Sequence, residues 1–478
     1  MLTSDCVQII KSSVAILLLR LCGGDAFEEC KSRIAMLTDA FGTNTAYRLI
    51  HDKQSPISWI PQDCQPLHLW MYIRHGTRFP KEQKIVRYRR RLEELRQWSI
   101  DVGNGGKLCP SELEYMKNWT FFDLHPSVGH HLAAEGEREM ESLGKRIRAA
   151  FSDFEVEDSQ FHATPTQRAV KSGEFFMMGF LGSEEASGKR IHVVTEGDEV
   201  LRPYKTCQYW IDNVKHEPSS KAEYERFLKS EPVERIRRNF VELFGIPDEI
   251  VTPEDVILAH NVCGFETAWN FTGNASVWCA PFSSQADLNA MEYLEDLDRW
   301  HVHAHGNKIN SMLACETAKN IVDSFRASAL DRTFKAKFHF THCGALQKLI
   351  TRLRLFKDDH VLKAGDYPGE IAENRIWRGS KTTPFGANIA LVLYNCAGSL
   401  KVGVYANEQQ MRVPFCSSGL CDLEEFSMHF AKGYCHIQSL CGSNSALAYA
   451  VAAFVVGCTM FVAVNSMWSR DRGLKKEL

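Results

Sequence analysis

Seven consecutive residues, Leu67-His68-Leu69-Trp70-Met71-Tyr72-Ile73, put apolar side chains on both faces of an extended chain. A strand of that kind has to be covered on both sides, so it belongs in the middle of a sheet packed between layers. At Ile73 the apolar run stops and Arg74-His75-Gly76-Thr77-Arg78-Phe79-Pro80 follows. Each arginine offers a planar fork of donors that fits phosphate oxygens bidentately. A histidine held between two such forks can attack a phosphorus whose charge they neutralise. Gly76 removes a side chain where a ligand has to approach closely, and Pro80 ends the turn. The alternative is a solvated Arg-His-Arg loop, and the buried strand running directly into the three charges argues against it.

Two further stretches read as strands that stop at polar residues. Phe161 to Arg168 ends in a polar turn, and the helix from Ala169 to Phe180 directs its amino-terminal dipole toward the same anion. Lys337 to Thr341 delivers His342 at its carboxyl end, where ligand sites of open α/β sheets lie. Leu132 to Gly136 opens a helix with Met140, Leu143, Ile147 and Ala150 at helical spacing. Between residues 172 and 331 helical patterns dominate, for example Ala222 to Phe244, Asp287 to Trp300 and Leu313 to Leu330. Together with 82–123 they form a helical cap inserted into an α/β body that spans 25–441. Within Lys81 to Leu95, Lys81, Lys84, Arg87, Arg89, Arg90 and Arg91 lie on one helix. Such a run is ordinarily a solvated face; Lys81 and Lys84, next to the Arg-His-Gly turn, are candidates to extend its positive field over a polyanion. His301, His303 and His305 alternate, but no carboxylate or cysteine of ligand spacing adjoins them, so a polar loop is expected there and no metal is assigned.

The run Arg74 to Pro80 resembles the Arg-His-Gly-x-Arg-x-Pro signature of the histidine acid phosphatase superfamily. Phe41 to Tyr47, Tyr293 to Leu297, Ile309 to Ser311 and Phe356 to Asp358 are similar to segments of its multiple inositol polyphosphate phosphatase branch. The resemblance covers about Phe41 to Cys396. It implies the histidine phosphatase fold: a doubly wound, mainly parallel sheet with an inserted helical cap. It also implies His75 as the nucleophile that becomes phosphorylated, Arg168 as a third phosphate-binding arginine beside Arg74 and Arg78, and His342 as a donor to the phosphoryl oxygens. The implied substrate is an inositol polyphosphate, the hexakisphosphate included, with no cofactor. One departure stands out. The family reads His-Ala-Glu or His-Ser-Glu, whose carboxyl protonates the leaving oxygen; here the residues are His342-Cys343-Gly344, and the next acidic residue is Asp358. Losing a general acid costs typically about 100- to 10,000-fold. The expectation is therefore a slow phosphatase, with a catalytically impaired relative that binds inositol phosphates or a partner as the alternative.

A formal net charge of -3 gives no field for nucleic acid. Residues 1–24 read as a signal peptide with a short apolar core. Residues 446–468 carry no charge and are long enough to cross a bilayer of about 30 Å. The basic tail 469–478 then faces the cytosol and the body faces the lumen. Lys475-Lys476-Glu477-Leu478 resembles a dilysine retrieval signal, which places the chain in the endoplasmic reticulum membrane; the cell surface, or a lipid anchor, is the alternative. The cysteines agree with an oxidising lumen. Cys64 and Cys396 border predicted strands and are candidate partners, as are Cys263 and Cys279, while Cys416, Cys421, Cys435 and Cys441 are expected to staple the segment before the membrane. An odd number of lumenal cysteines leaves at least one free thiol. Sequons at Asn118, Asn270 and Asn274 fit glycosylated surface loops.

Overall fold

The computed structural model describes residues 40–431 and Cys441, apart from 53, 55–57, 103–105, 122–123, 157, 196–197 and 270–275. The expected signal peptide, the 446–468 span, the basic tail, Cys435, Asn270 and Asn274 lie outside these residues. Among the described residues no helix is long and apolar enough to cross a membrane. Asn118 is exposed at the carboxyl end of the helix Pro110–Asn118.

The apolar run at Leu67 is part of strand β1 (Cys64–Arg74), and its alternation sorts two cores. Leu69, Met71 and Ile73 pack with Phe338 and Phe340 under Met140, Leu143 and Ile147 of α2 (Ala134–Ala150) and Phe176 and Phe180 of α3 (Gln167–Leu181). Trp70 and Tyr72 face the other side, joined by Leu67 because the register shifts between Pro66 and His68, and pack with Ile321 and Phe325 of α7 (Cys315–Asp331) and Leu346, Leu349 and Leu353 of α8 (Cys343–Leu353). Each fully buried side chain of this size contributes roughly 1.5–3 kcal/mol, so the strand is held from both faces. The cap helices extend the second core: α1 (Glu82–Asp101), α4 (Glu231–Phe244), α5 (Pro253–Trp269) and α6 (Gln285–Asp298). The helical pattern from Ala222 to Phe244 is broken into Ala222–Leu228 and α4, because Pro232 belongs in a first turn and cannot continue a helix from upstream.

The sheet is mixed, which corrects the expected mainly parallel arrangement. Its order is β3-β2-β4-β1-β5-β6-β7, with β8 (Cys421–Asp422) paired to β6. β2 (Gln160–Ala163), β3 (His192–Val193) and β4 (Lys335–Thr341) join β1 in a parallel half. β5 (Asn388–Cys396), β6 (Ser399–Ala406) and β7 (Gln409–Met411) run antiparallel to their neighbours. Between β5 and β6 the chain reverses through Ala397 and Gly398, both at positive φ, so no crossover helix is possible there.

Cys64 lies opposite Cys396 in the β1–β5 register, and the two form a disulfide. Cys263 is bonded to Cys279 within the cap. Cys416 pairs with Cys421, but Cys441 reaches Cys207, so the C-terminal cysteines do not staple only their own segment. Among the described residues the free cysteine is Cys343.

Candidate active site

Because β1, β4 and β2 are parallel, their carboxyl ends open on one edge. Arg74 is in register with Thr341, and Ala163 with Phe340, so the residues that follow each strand meet. The His75 amide donates to the Thr341 carbonyl at 3.0 Å, and the Thr164 amide to the Phe340 carbonyl at 3.1 Å. The His75 and His342 rings are consequently 5.5 Å apart between centroids. Arg168 enters from the first turn of α3.

The His75 ring is fixed by its own backbone. Its Nδ1 lies 2.9 Å from the Gly76 carbonyl, which can only accept, so Nδ1 carries the proton and Nε2 keeps its lone pair. Burial first, then the positive field of Arg168 and Arg74, pushes its pKa well below the usual imidazole value. His75 is therefore neutral at physiological pH. His342 has the opposite tautomer. Arg168 Nη2 donates to His342 Nδ1 at 3.4 Å, leaving His342 Nε2–H to donate to Thr164 Oγ1 at 3.2 Å. Burial, then Arg168, lowers its pKa as well.

Arg74 is buried, and its Nη1 donates to the carbonyls of Thr43 at 2.6 Å and Thr383 at 2.7 Å. Thr43 is itself clamped: its amide and hydroxyl donate to Glu295 at 3.0 and 2.6 Å, and Arg299 Nε donates to Glu295 at 3.1 Å. The segments around Phe41 and Tyr293 singled out in the sequence thus form the frame behind Arg74. Arg74 Nε and Arg168 Nε are buried and have no partner among the described residues, a costly arrangement unless an anion supplies acceptors. Burial, then the neighbouring arginines Arg74 and Arg168, pushes Arg78 down to about 9. Such mutual repulsion is relieved when a phosphate enters.

Gly76 departs from its expected role. A Cβ there would stand 2.6 Å from the Gly136 carbonyl and 2.9 Å from Gly136 Cα, so it is α2, not a ligand, that approaches closely. The Thr77 amide donates to Glu139 of the same helix at 2.8 Å and the Gly76 amide to Ser172 of α3 at 3.1 Å, which locks the turn.

The cavity above this edge measures about 860 Å³. It is lined by Arg74, Arg78, Arg168, Arg202, Arg299, Lys81, Lys84, Lys205, Lys215 and Lys221, against Glu225, Glu295 and Asp298. Lys81 and Lys84 both reach it. Farther along α1, Arg91 forms a two-pronged ion pair with Asp255 and Arg89 donates to the Leu124 carbonyl, so these serve the cap. Arg202, Lys205, Lys215, Lys221 and Arg299 escaped the sequence reading. Nothing in their spacing marks them; only the count of basic residues between 202 and 221 could have drawn attention. His301 and His305 place Nε2 at 2.8 and 2.9 Å from the carbonyls of Leu362 and Leu355, while His303 lies 3.5 Å from the Lys348 amine. The three rings go to separate partners, and 299–303 is a helical turn where a polar loop was expected. Among the described residues no group of potential metal ligands gathers.

The sequence profile of the histidine phosphatase superfamily (branch 2) matches residues 68–415. Over 412 residues the chain is 29% identical to multiple inositol polyphosphate phosphatase 1 of Drosophila melanogaster, covering 82% of this chain and 84% of that one. The crystal structure of a phytase from D. castellii superposes with a TM-score of 0.70 at 17% identity, covering 86% and 88% of the two chains. A multiple inositol polyphosphate phosphatase from Bifidobacterium longum, solved in complex with inositol hexasulfate, gives 0.63 at 14% identity, covering 82% and 98%. At these identities the two structures bear on the fold.

Proposed function

The chain belongs to the histidine phosphatase superfamily, branch 2, and from that premise we propose that it hydrolyses phosphomonoesters of inositol polyphosphates through a phosphohistidine. The observation that carries the reading is the neutral, singly oriented His75 inside a cage of three arginines under a strongly basic cavity. One phosphate fits the cage, while the remaining phosphates of a polyanion meet the cap lysines and arginines. Relatives named for inositol polyphosphates and phytate support that substrate class.

In mechanism, His75 Nε2 attacks phosphorus in line while Arg74, Arg78 and Arg168 neutralise the equatorial oxygens. Burial first and then the arginine field keep His342 neutral; the arriving dianion offsets the second of these and so favours the protonated form as a donor to a phosphoryl oxygen. Water then cleaves the phosphohistidine. These side chains supply the nucleophile and the charge neutralisation for both steps. The neutral His75, with its Nε2 lone pair left free by the bond from Nδ1 to Gly76, favours turnover over the binding-only alternative, which needs the cage but no nucleophile. Phosphate release from inositol hexakisphosphate by purified protein, set against His75→Ala, is the direct test.

The arginines have their own signature. Arg74→Ala and Arg168→Ala should each weaken inositol hexakisphosphate binding by about 1.5–3 kcal/mol, the worth of charge-assisted hydrogen bonds, or roughly 10- to 150-fold. Calorimetry that finds both variants binding like the parent protein removes them from the phosphate cage.

We further propose that the body is lumenal and anchored by 446–468, with the domain limits given by the sequence. The four disulfides that join pairs of described residues support an oxidising compartment. Glycosidase treatment of microsomes should lower the apparent mass, and Lys475→Ser with Lys476→Ser should move the protein toward the cell surface. An unchanged mass contradicts the lumenal placement; an unchanged location contradicts the dilysine signal.

A further inference from the structure

The missing carboxyl at Gly344 leaves the leaving oxygen without its usual acid, and another side chain takes up that space. A Cβ on residue 344 would stand 3.5 Å from Cε1 and Cζ of Tyr204 and 3.8 Å from its hydroxyl. Tyr204 therefore lies in the direction a side chain at 344 would project, and both residues line the cavity together with His75 and His342. We propose that Tyr204 is the proton donor to the leaving oxygen, a reading that rests on the phosphatase assignment above and supplies its missing acid.

The loop carrying Tyr204 is tied to the catalytic strands. Tyr72 of β1 donates to the Val200 carbonyl at 2.7 Å, Thr317 to the same oxygen at 2.8 Å, and Thr341, just before His342, to the Leu201 carbonyl at 2.5 Å. On its other side the ring meets Trp210 edge-on at 5.8 Å, and the Cys207–Cys441 disulfide closes the segment. The phenol is held at the site by contacts a flexible loop would lack.

Other acids in the cavity fit less well. Glu295 is kept ionised by Arg299 and Thr43, which together outweigh its burial. Cys343 directs its thiol to Thr383 Oγ1 at 3.4 Å. Glu225 and Asp298 come from the cap side, and the atoms nearest a side chain at 344 all belong to Tyr204.

The step balances. As the His75 Nε2–phosphorus bond forms and the phosphorus–alkoxide bond breaks, the Tyr204 proton passes to the alkoxide oxygen and the phenolate is stabilised by Arg168 and Arg202. When water attacks the phosphohistidine, its proton returns to Tyr204 as the nitrogen–phosphorus bond breaks. The groups facing the phenol are Arg168, Arg202, Asp198, Tyr72, Cys343 and Lys348. Burial, then Cys343 and Asp198, raises its pKa against the pull of the two arginines, so the hydroxyl stays protonated through neutral pH. A phenol donor predicts no loss of inositol phosphatase rate in the pH range, about 4–6, where a carboxyl donor would ionise.

The test compares full-length Tyr204→Phe with the parent protein on inositol hexakisphosphate and on p-nitrophenyl phosphate, whose leaving group needs no proton. The expected result is a loss of about 100-fold on the inositol phosphate and little change on the aryl ester. Across aryl and alkyl phosphates, kcat/KM should also depend more steeply on leaving-group pKa in the variant. Equal losses on both substrates would assign Tyr204 a packing role and overturn the proposal, as would no loss on either. If the parent protein hydrolyses neither substrate and His75 traps no phosphoryl group, the phosphatase reading itself falls and takes this one with it.

Discussion

His75→Ala should lower phosphate release from inositol hexakisphosphate and from aryl phosphates alike, by about 10,000-fold or more, while leaving ligand affinity within a few fold. The first part follows from the covalent step: without Nε2, water has to attack directly, and the orienting bond from Nδ1 to the Gly76 carbonyl has no substitute. The second follows from the cage. Arg74 is held by the Thr43 and Thr383 carbonyls and Arg168 stands on α3, so neither depends on the imidazole. The contrast separates His75 from Tyr204, whose loss should spare good leaving groups. Rapid quench of the parent protein with labelled substrate should trap an acid-labile phosphoryl group that the variant lacks. A variant keeping more than a tenth of the parental rate would show that His75 is not the nucleophile.

Why some of this was legible in the sequence and some was not has a physical explanation. β1 could be read because burial on both faces demands an unbroken apolar run, and its abrupt end at Arg74 marks the edge where charge is tolerated. The same pattern cannot tell a parallel neighbour from an antiparallel one, since both bury the strand equally; the antiparallel half therefore came only with the structure. Gly76 was read as room for a ligand, yet a glycine signals close approach without naming what approaches, and here it is Gly136. Arg299 and Glu295, four residues apart, look like an ordinary helix-surface pair. Their role behind Arg74 depends on Thr43, 252 residues from Glu295, and no local pattern carries that information. Tyr204 was invisible for the same reason: only the fold sets it against Gly344.

The largest stability effect should come from a residue that touches no substrate. Arg375 is almost wholly buried and donates to Asp296 at 2.7 and 2.9 Å, with Glu292 at 3.4 Å. The same carboxylates organise the chain beyond Arg375: Asp296 accepts the Gly379 amide at 2.7 Å, and Glu292 the Ser380 amide at 3.1 Å. Removing the guanidinium by Arg375→Met leaves the two buried carboxylates with backbone and hydroxyl donors but one cationic partner, Arg378, whose Nε lies 3.1 Å from Glu292. Burial pushes the Asp296 carboxyl well above the usual range even against the pull of Arg375, so breaking the cluster from one side costs about 3–5 kcal/mol, as the carboxylates left behind stay charged and desolvated or take up a proton. The thermal midpoint should fall by several degrees, and adding Glu292→Gln with Asp296→Asn should restore part of it, since the uncompensated charge is then gone. Activity should decline with the loosening of α6, which also carries Glu295 and through it the Thr43–Arg74 frame. A midpoint unchanged in Arg375→Met would mean that the carboxylates are neutralised by protonation at little cost, and that α6 is held by its apolar face alone.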